Sequence, residues 1–596
     1  MTAAPVAVEG GSAGDDDAPA PRWRPVAALA AAVCLPLLVG VVAVAGDDWH
    51  PTGDMAQAEL HVRGFMADPP LVGAAGRLGP LDHQGSHPGP SMWFLLLPTY
   101  RLFGQTGWAL EVGVAVVAAV TVVGTLLLAR RRGGDALLVV VAVALAALVR
   151  ANGPEVFVDP WNPWLPVLPF LAFMLLVWSV LEDDRWALPW VLAVGTHCVQ
   201  SHVGYAPLVG ALGVLAAAWA VRRRWWSALA LSGAVTFVLW LPPLVEQLGA
   251  RGDHPGNLRI LWQHFTRSSE PTVGFGGALR AVAGELAVSG PWLVGRGHQP
   301  TDPPSWLGFV VLLAVWAGAA GVGWRCRLLA PLRLHAVLAL AWVVALASMA
   351  RVFGEFFDYV IRWATTLAAL VAAAIVWTLW EAFAARRPTG RRPATGAAIG
   401  LLALAVVAGS IAAVRVESSG LRNSRIVAAL TPAVADAVAA IDPDGRFLVR
   451  WEDSVSLNAT GVGVLLELER RGYRVGADPL QRAAVLPHRA LLAGEATAVV
   501  WVVVGPAVER LRADRTVEEV AAVDPRNREE RGRSAALAAS IDAALGRAGL
   551  DELTPVLDQS LVGVALDRRV PVEVKAQVEE LLDLGLPAVA FVEVTR

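Results

Sequence analysis

The 596-residue sequence has little charge and almost no lysine. Charged residues make up 17% of the chain and hydrophobic residues 55%, and the mean hydropathy is +0.52. A soluble chain usually carries about 25% charged residues, so a string of ordinary soluble domains is excluded, as is disorder for most of the chain. Lys575 is the only lysine, and a net charge of −3 offers no basic field that would attract nucleic acid.

Cysteine is scarce as well, and the common catalytic motifs are missing. The three cysteines, Cys34, Cys198 and Cys326, lie in or beside apolar stretches. They form no CxxC pair, no zinc-type spacing and no disulfide framework. The sequence also lacks Walker, G-x-S-x-G and H-E-x-x-H signatures. Redox chemistry therefore has no support, and we predict no metal site.

Long apolar runs dominate the first two thirds of the chain. A helix needs about 20 apolar residues to cross a bilayer, and eleven runs approach or reach that length. They cover residues 26–46, 107–129, 134–150, 161–181, 186–201, 203–221, 226–246, 306–324, 334–350, 359–383 and 395–414. The pair 186–201 and 203–221 is tight, so one broken span with a re-entrant piece is an alternative there.

Arginine clusters predict the orientation of these spans. With a cytoplasmic N-terminus, the clusters at 130–132, 222–224, 325–327 and 386–392 all fall inside, as the positive-inside rule requires. The turn at 182–185 is the exception, because its acidic residues outnumber Arg185. Residues 1–21 have no apolar period and are predicted to be a disordered cytoplasmic tail. We expect a multi-pass protein of the plasma membrane.

This path places two long loops, 47–106 and 247–305, and the region 416–596 on the extracytoplasmic side. In the C-terminal region, apolar runs at 447–451 and 498–504 predict buried strands, and 455–472 and 534–548 have helical periodicity. Strands that alternate with helices indicate a small α/β domain. The predicted fold is an α-helical polytopic membrane domain, residues 22–415, followed by an extracytoplasmic α/β domain.

Within the first outer loop, the segment 91–104 is only about 14 residues long and too short to cross the membrane. We predict an interfacial helix with Trp93 and Tyr100 at the depth of the lipid headgroups. The loop 247–305 is long and, without regular structure, would be typical of a lid over a binding site.

The first outer loop also holds the densest group of polar residues in the chain. They are Asp54, Gln57, Glu59, His61, Arg63, Arg77, His83 and the sequence His87-Pro88-Gly89-Pro90. A purely structural interpretation is available for several of them. Asp54 and Gln57 fit a helix-capping box, and Glu59 and Arg63 have the spacing of an ordinary helix ion pair. The histidines lack a third metal ligand at a suitable spacing.

Further polar residues follow spans on the same side of the membrane. They are Asp159, Asn162, His202, Arg351, Tyr359 and Arg362. Such groups at the mouth of a span often line a cavity. The alternatives are an aromatic belt at Trp161 and Trp164 and an ion pair between Asp358 and Arg362 that offsets the cost of a charge in the membrane.

The order of these pieces resembles the GT-C superfamily of glycosyltransferases. The pieces are a first span, an outer loop with Asp54 and Glu59, the motif His87-Pro88-Gly89-Pro90 before an interfacial helix, about eleven spans, and an extracytoplasmic C-terminal domain. The chain is most similar to the protein-mannosyltransferase and aminoarabinose-transferase branch and to the arabinofuranosyltransferase-like proteins of actinobacteria. The adjacent Asp-Glu pair of that family is separated here by four residues.

The resemblance implies transfer of a sugar from a polyprenyl-phosphate donor to a glycan, lipid or protein acceptor, with inversion. It implies Asp54 as general base, with Glu59 as a second candidate. Phosphate and substrate contacts would come from the other polar residues, because arginine is a bidentate partner of phosphate. These are Arg63, Arg77, His87, Asp159, Asn162, His202, Arg351, Tyr359 and Arg362. No cofactor is certain, and a divalent cation stays open.

Three other functions are compatible with this composition. The first is a polymerase or ligase that joins lipid-linked polysaccharides. The second is a transporter, although transporters usually bind substrate at the bilayer midplane and show repeat symmetry, which is not evident here. The third is a non-catalytic assembly protein of the cell envelope.

Overall fold

The computed structural model describes residues 23–79, 84–250, 255–295, 299–386, 391–455, 459–567 and 569–594. The predicted tail at residues 1–21 and the candidate ligand His83 lie outside the described residues.

The first part of the chain is a bundle of helices. Its helices are α1 Arg24–Val44, α2 Gly53–Arg63, α3 Ser91–Leu102, α4 Gly107–Asn152, α5 Val167–Leu181, α6 Ala187–Ser201, α7 Ala206–Arg222, α8 Trp226–Gly249, α9 Asn257–Arg267, α10 Gly274–Glu285, α11 Pro291–Val294, α12 Trp306–Arg325, α13 Leu329–Ala350, α14 Trp363–Arg386 and α15 Arg391–Ala413. Helix α4 leaves helical geometry at Gly134, where φ is 62°, a conformation that glycine adopts readily. It therefore supplies two successive spans.

The helices reproduce the predicted set of spans. In the described part of the chain, nine helices are long and apolar enough to cross a membrane, one of them being Leu421–Ile441 of the C-terminal domain. The kinked α4 counts twice, and α5 and α6 add two shorter members of 15 residues each. A helix of 15 residues is about 22 Å long, less than the hydrocarbon thickness of about 30 Å. Since α5 is buried on nearly all sides, neighbouring helices cover its ends.

One end of the bundle, formed by residues 130–132, 182–185, 222–224 and 325–333, is called here the arginine-rich end. It contains the turn whose acidic excess departed from the positive-inside pattern. Each acidic residue of that turn has an arginine partner on another turn. The pairs are Asp184 with Arg131 (3.3 Å) and Arg132, Asp183 with Arg223 (2.5 Å), and Glu182 with Arg333 (3.2 Å). The exception to the charge pattern is thus neutralised by ion pairs.

The C-terminal domain is built around a five-stranded sheet. Its elements are α16 Leu421–Ile441, β1 Arg446–Asp453, α17 Ala459–Arg470, β2 Arg474–Gly476, α18 Arg482–Val485, β3 Ala498–Val504, α19 Ala507–Arg512, β4 Glu518–Val523, α20 Arg528–Arg547, α21 Thr554–Gln559, α22 Leu561–Leu566, α23 Val572–Leu584 and β5 Ala588–Val594. The strand order is β2-β1-β3-β5-β4. Strands β2, β1 and β3 are parallel, and β5 is antiparallel to β3 and β4. The predicted helical membrane domain with an α/β domain is confirmed.

Helix α3 differs from its prediction in one respect. Trp93 and Tyr100 are both fully buried, at 1% and 0% exposure, and do not lie at an exposed surface. The reason is that the protein itself satisfies their polar tips. The Trp93 indole donates to the Val72 carbonyl (3.0 Å), and the Tyr100 hydroxyl donates to the Glu59 carboxylate (3.1 Å). Phe94 and Leu95 form the exposed side of the helix instead.

The long loop 247–305 contains α9, α10 and α11, so the expectation of a loop without regular structure is wrong. Helix α9 is fastened to the first outer loop by two contacts. The buried Asn257 side chain accepts from the Ser86 amide (2.8 Å) and donates to the Ser86 carbonyl (3.0 Å), and the Gly79 amide donates to His264 (3.2 Å). The loops 47–106 and 247–305 therefore form one layer over the end of the bundle opposite the arginine-rich end.

Candidate active site

The site begins at the first turn of α2. Gly53 has a φ of 52°, and Thr52 is the N-cap residue. Asp54 is therefore the second residue of the helix, so the prediction that it caps the helix is wrong. Its carboxylate points instead to a neighbouring segment, where it accepts a hydrogen bond of 2.8 Å from the Trp161 indole.

Asp54 is accessible to solvent, but its carboxylate is largely desolvated. The residue is exposed, yet protein atoms surround its carboxylate on most sides, as in a cleft. This desolvation raises the pKa of Asp54 above its ordinary value of 3.8, and the bond from Trp161 opposes the rise. A carboxylate of this kind can be reached by a substrate and holds a proton better than a solvated aspartate does.

Aromatic rings connect Asp54 with two other segments of the bundle. The ring of Trp161 lies 4.8 Å from that of Trp164 and 5.0 Å from that of Tyr359. Tyr359 in turn stacks on Phe357 and lies 6.4 Å from His202, centroid to centroid. The segments 159–164, 202–205 and 357–362, which are far apart in sequence, thus meet beside the start of α2.

Two arginines belong to the same assembly. Arg77 is exposed, and its charge and that of Asp54 both lie within electrostatic reach of the hydroxyl of Tyr359. Arg362 is buried and forms the predicted ion pair with Asp358. Its guanidinium lies 4.9 Å from the centre of the Trp164 ring. The site therefore contains an accessible cation and a second cation held rigidly behind the aromatic rings.

His87, His202 and Asn162 tie the segments of the site together. The rings of His87 and His202 lie 4.7 Å apart, and His87 Nδ1 accepts from the Val203 amide (3.1 Å). Burial lowers the pKa of His87, so this imidazole is neutral at physiological pH. Asn162 donates to the Ser201 carbonyl (3.0 Å). Asp159 is half-buried at the edge of the site, near the carboxyl group of Glu111.

Three predicted site residues lie elsewhere. Glu59 is fully buried on the other side of α2 and pairs with Arg470 of α17. Arg63 pairs with Glu469 of the same helix (3.1 Å) instead of with Glu59. Arg351 donates to the Phe265 carbonyl (3.2 Å) at the edge of the outer layer. The structure thus brings Asp54, but not Glu59, to the cleft.

Two residues of the site were not recognised in the sequence. Trp161 was interpreted as a member of an aromatic belt, although it is the hydrogen-bond donor to Asp54. Glu285 of α10 is buried within electrostatic reach of Arg362. A signal for Trp161 was present, since it lies between the candidates Asp159 and Asn162, whereas Glu285 had no such neighbour. Within the described ranges, no group of three His, Cys, Asp or Glu side chains is placed to hold a metal ion.

No family model and no curated protein sequence matches this chain. Among solved structures, ArnT from Cupriavidus metallidurans bound to undecaprenyl phosphate is similar at 16% identity, over 84% of this chain and 96% of that chain, with a TM-score of 0.49. The apo oligosaccharyltransferase of Archaeoglobus fulgidus is similar at 13% identity, over 80% of this chain and 70% of that chain, with a TM-score of 0.35. ArnT is an aminoarabinose transferase.

Proposed function

We propose that this protein is a membrane glycosyltransferase that moves a sugar from a polyprenyl-phosphate donor to an acceptor hydroxyl, with Asp54 as general base. One observation supports this function above all others. An accessible carboxylate with a raised pKa lies at the start of α2 beside Trp161, and its charge and that of the exposed Arg77 both reach the hydroxyl of Tyr359. A base and a cation in one cleft are what a transfer between a lipid phosphate and a hydroxyl requires.

The reaction assigned to the cleft is a single displacement. The acceptor oxygen attacks the anomeric carbon and forms the new glycosidic bond, while the bond from that carbon to the phosphate oxygen breaks. Asp54 takes the proton of the acceptor hydroxyl, and the polyprenyl phosphate leaves with the bonding electrons. The raised pKa of Asp54 suits this role, because a stronger base accepts the proton more readily as the new bond forms.

The leaving phosphate needs positive charge and hydrogen-bond donors. Arg77 and the hydroxyl of Tyr359, which are within electrostatic reach of each other, are our candidates for the first contacts. Arg362 is held by Asp358 and the Trp164 ring, so it contributes its field from a fixed position behind the rings. A lipid donor fits a cleft at the end of a membrane bundle, where the bilayer delivers the substrate.

We place the cleft on the extracytoplasmic side of the plasma membrane. The arginine-rich end lies opposite the end that bears the outer loops and the α/β domain, and arginine favours the cytoplasmic side. Since the acidic residues of the turn 182–185 are neutralised by partners, they do not oppose this orientation.

The direct test is the variant Asp54→Asn, purified, reconstituted into liposomes and supplied with a panel of polyprenyl-phosphate-linked pentoses and hexoses. Release of polyprenyl phosphate and appearance of the glycosylated acceptor are measured. We expect the rate to fall by about 10²–10⁴-fold, the usual contribution of a general base, with an unchanged unfolding temperature. The matched control is Asp48→Asn, an aspartate of the same loop whose side chain is 97% exposed. Full activity of Asp54→Asn, or no turnover by the natural protein with any donor, would refute the proposal.

A further inference from the structure

The central sheet of the α/β domain has two very different faces. One face, which includes Val449 of β1 and Val500 of β3, is covered by the apolar sides of α16 and α17. The other face is covered only in parts, by α19 over one side and by the segment around Leu491 over the other. Buried parallel strands are normally apolar on both faces, so an incompletely covered face needs an explanation.

Polar and aromatic side chains occupy the gap in that cover. Arg450 and Trp501 are register partners on β1 and β3, and the guanidinium of Arg450 lies 5.4 Å from the centre of the Trp501 ring. Arg450 is fixed by two hydrogen bonds of 3.0 Å to Asp478, which follows β2. The Trp501 indole donates to Glu593 (3.2 Å). The face is therefore rigid, half-exposed and built from planar groups.

These residues line a cavity of about 180 Å³. Its walls are Val449, Arg450, Trp451, Glu452, Asp478, Gln481 and Trp501. Liquid water takes up about 30 Å³ per molecule, so this volume corresponds to about six water molecules, which is the size of a small polar ring compound. The cavity thus fits one sugar unit of a longer chain that continues into solvent.

The topology of the sheet independently marks this place as a binding position. The connection from β1 to β2 runs through α17 on one face, whereas the connection from β2 to β3, residues 477–497, packs on the other face through Leu491 and Ala496. Adjacent strands β1 and β3 therefore flank the point where the chain reverses its direction across the sheet. In open α/β sheets, ligands bind in the crevice at this switch point, toward the carboxyl ends of the strands.

The charges that line this cavity of the α/β domain determine the chemical class of its ligand. Arg450 is paired with Asp478, and Glu452 is paired with Arg510 (2.5 Å). No net positive charge is left for a phosphate, and the paired charges are too polar for a lipid chain. What the cavity offers is an indole beside carboxylate, guanidinium and amide groups. Sugars match this combination, since their hydroxyls both donate and accept hydrogen bonds and their C–H faces pack on aromatic rings.

We propose that this cleft, formed by Arg450, Asp478, Gln481 and Trp501, is a saccharide-binding site that holds an uncharged unit of a glycan. The site is separate from Asp54 and does not depend on the transferase activity. It gives the α/β domain a recognition function of its own.

The experiment measures binding of the full-length protein in lipid nanodiscs, free of sugar-based detergent, to an array of neutral oligosaccharides prepared from mannan, galactan, arabinan and glucan. We expect binding to at least one of these glycans, and a loss of affinity of about tenfold or more in Trp501→Ala, which is about 1.4 kcal/mol or more, since a central aromatic contact often carries much of the binding energy. Because Trp501 also packs within the sheet, Gln481→Ala in a half-exposed turn is the second variant, and it should lose affinity without losing stability.

The controls separate this proposal from the transferase function. Asp54→Asn should bind glycan as the natural protein does, even though transfer is lost. Arg533→Gln removes an exposed ion pair on α20 and should leave binding unchanged. The inference is overturned if no glycan of the array binds, if the Trp501 and Gln481 variants both bind normally, or if the cleft binds anionic phospholipid vesicles in place of glycans.

Discussion

The two carboxylates of α2, Asp54 and Glu59, show how one short helix serves two purposes. They are five residues apart and so point about 140° apart around the helix. Asp54 is exposed, and its carboxylate accepts a hydrogen bond from the neutral indole of Trp161. Glu59 is fully buried and receives hydrogen bonds from Arg470 and Tyr100. Burial raises the pKa of Glu59 as it does that of Asp54, and Arg470 and Tyr100 oppose the rise. The two carboxylates therefore differ in access: a substrate can reach Asp54, whereas Glu59 is enclosed by its partners.

The buried side of α2 is also the side that joins the bundle to the α/β domain. Arg470 contacts Glu59 and Glu467, and Glu467 contacts His50 just before α2 (3.2 Å). A second group joins Arg63 and Arg489 to Glu469. The difference between the two faces of α2 teaches that the distant domain fixes the helix whose other face presents the candidate base.

The largest expected effect on this contrast comes from Arg470→Met. The change leaves Glu59 buried without its charge partner, and breaking a buried pair in this way costs about 3–5 kcal/mol. We expect a clearly lower unfolding temperature for the purified protein in detergent. Adding Glu59→Gln should recover much of the loss, because the second change removes the unpaired charge. If Arg470→Met is as stable as the natural protein, Glu59 does not depend on this pair.

A medium effect is expected from Trp161→Phe, which keeps an aromatic ring but removes the indole N–H. That N–H favours the ionised carboxylate, so its loss raises the pKa of Asp54 further. Since the base works only when deprotonated, the rate falls as pH drops through this pKa, and the acidic limb of the profile of kcat/KM should move to higher pH. The shift should be up to about one pH unit, as one hydrogen bond contributes about 0.5–1.5 kcal/mol. An unmoved acidic limb would contradict the assignment of Asp54 as the titrating base.

The smallest effect is expected at His50, on the buried side. The hydrogen bond with Glu467 raises the pKa of His50 above its ordinary value of 6.5, against the opposing effect of burial. The protonated form is therefore favoured in the folded protein. Its contribution to stability is full below about pH 6.5 and is lost as pH rises through the raised pKa. His50→Gln should accordingly lower the unfolding temperature at pH 6 but hardly at pH 9, whereas an equal loss at both values would exclude this linkage.

Much of the architecture followed from local patterns in the sequence. The apolar runs gave the spans because a bilayer sets their length, and the runs at 447–451 and 498–504 gave β1 and β3 because both strands are buried on the α16 face. Strands β2 and β4 were not predicted, since β2 has only three residues and β4 is an edge strand that begins with two exposed glutamates. Strand β5 was also not predicted. Its position between β3 and β4 is determined by tertiary packing.

The site residues that could be predicted are those that lie next to a membrane span in the sequence. Asp54, Tyr359 and Arg362 were found as polar residues that follow or precede spans on one side, and the fold brings them together. Glu59 and Arg63 were assigned to each other by helix spacing, but their partners on α17 are 411 and 406 residues away. Local spacing cannot reveal such pairs, because the stronger electrostatic partner comes from another domain.

The left-handed Gly53 has a consequence for the order in which the protein matures. A Cβ at this glycine would lie only 3.2 Å from the Cβ of Ala459, the first residue of α17. The ion pair of Glu59 and Arg470 joins the same two helices, α2 and α17. The seat for Asp54 is therefore completed by residues synthesised some four hundred positions later. Under the proposed function, we therefore expect that a nascent chain with its spans already inserted does not yet transfer sugar, because the helix that carries the candidate base is held in place only after the α/β domain has folded.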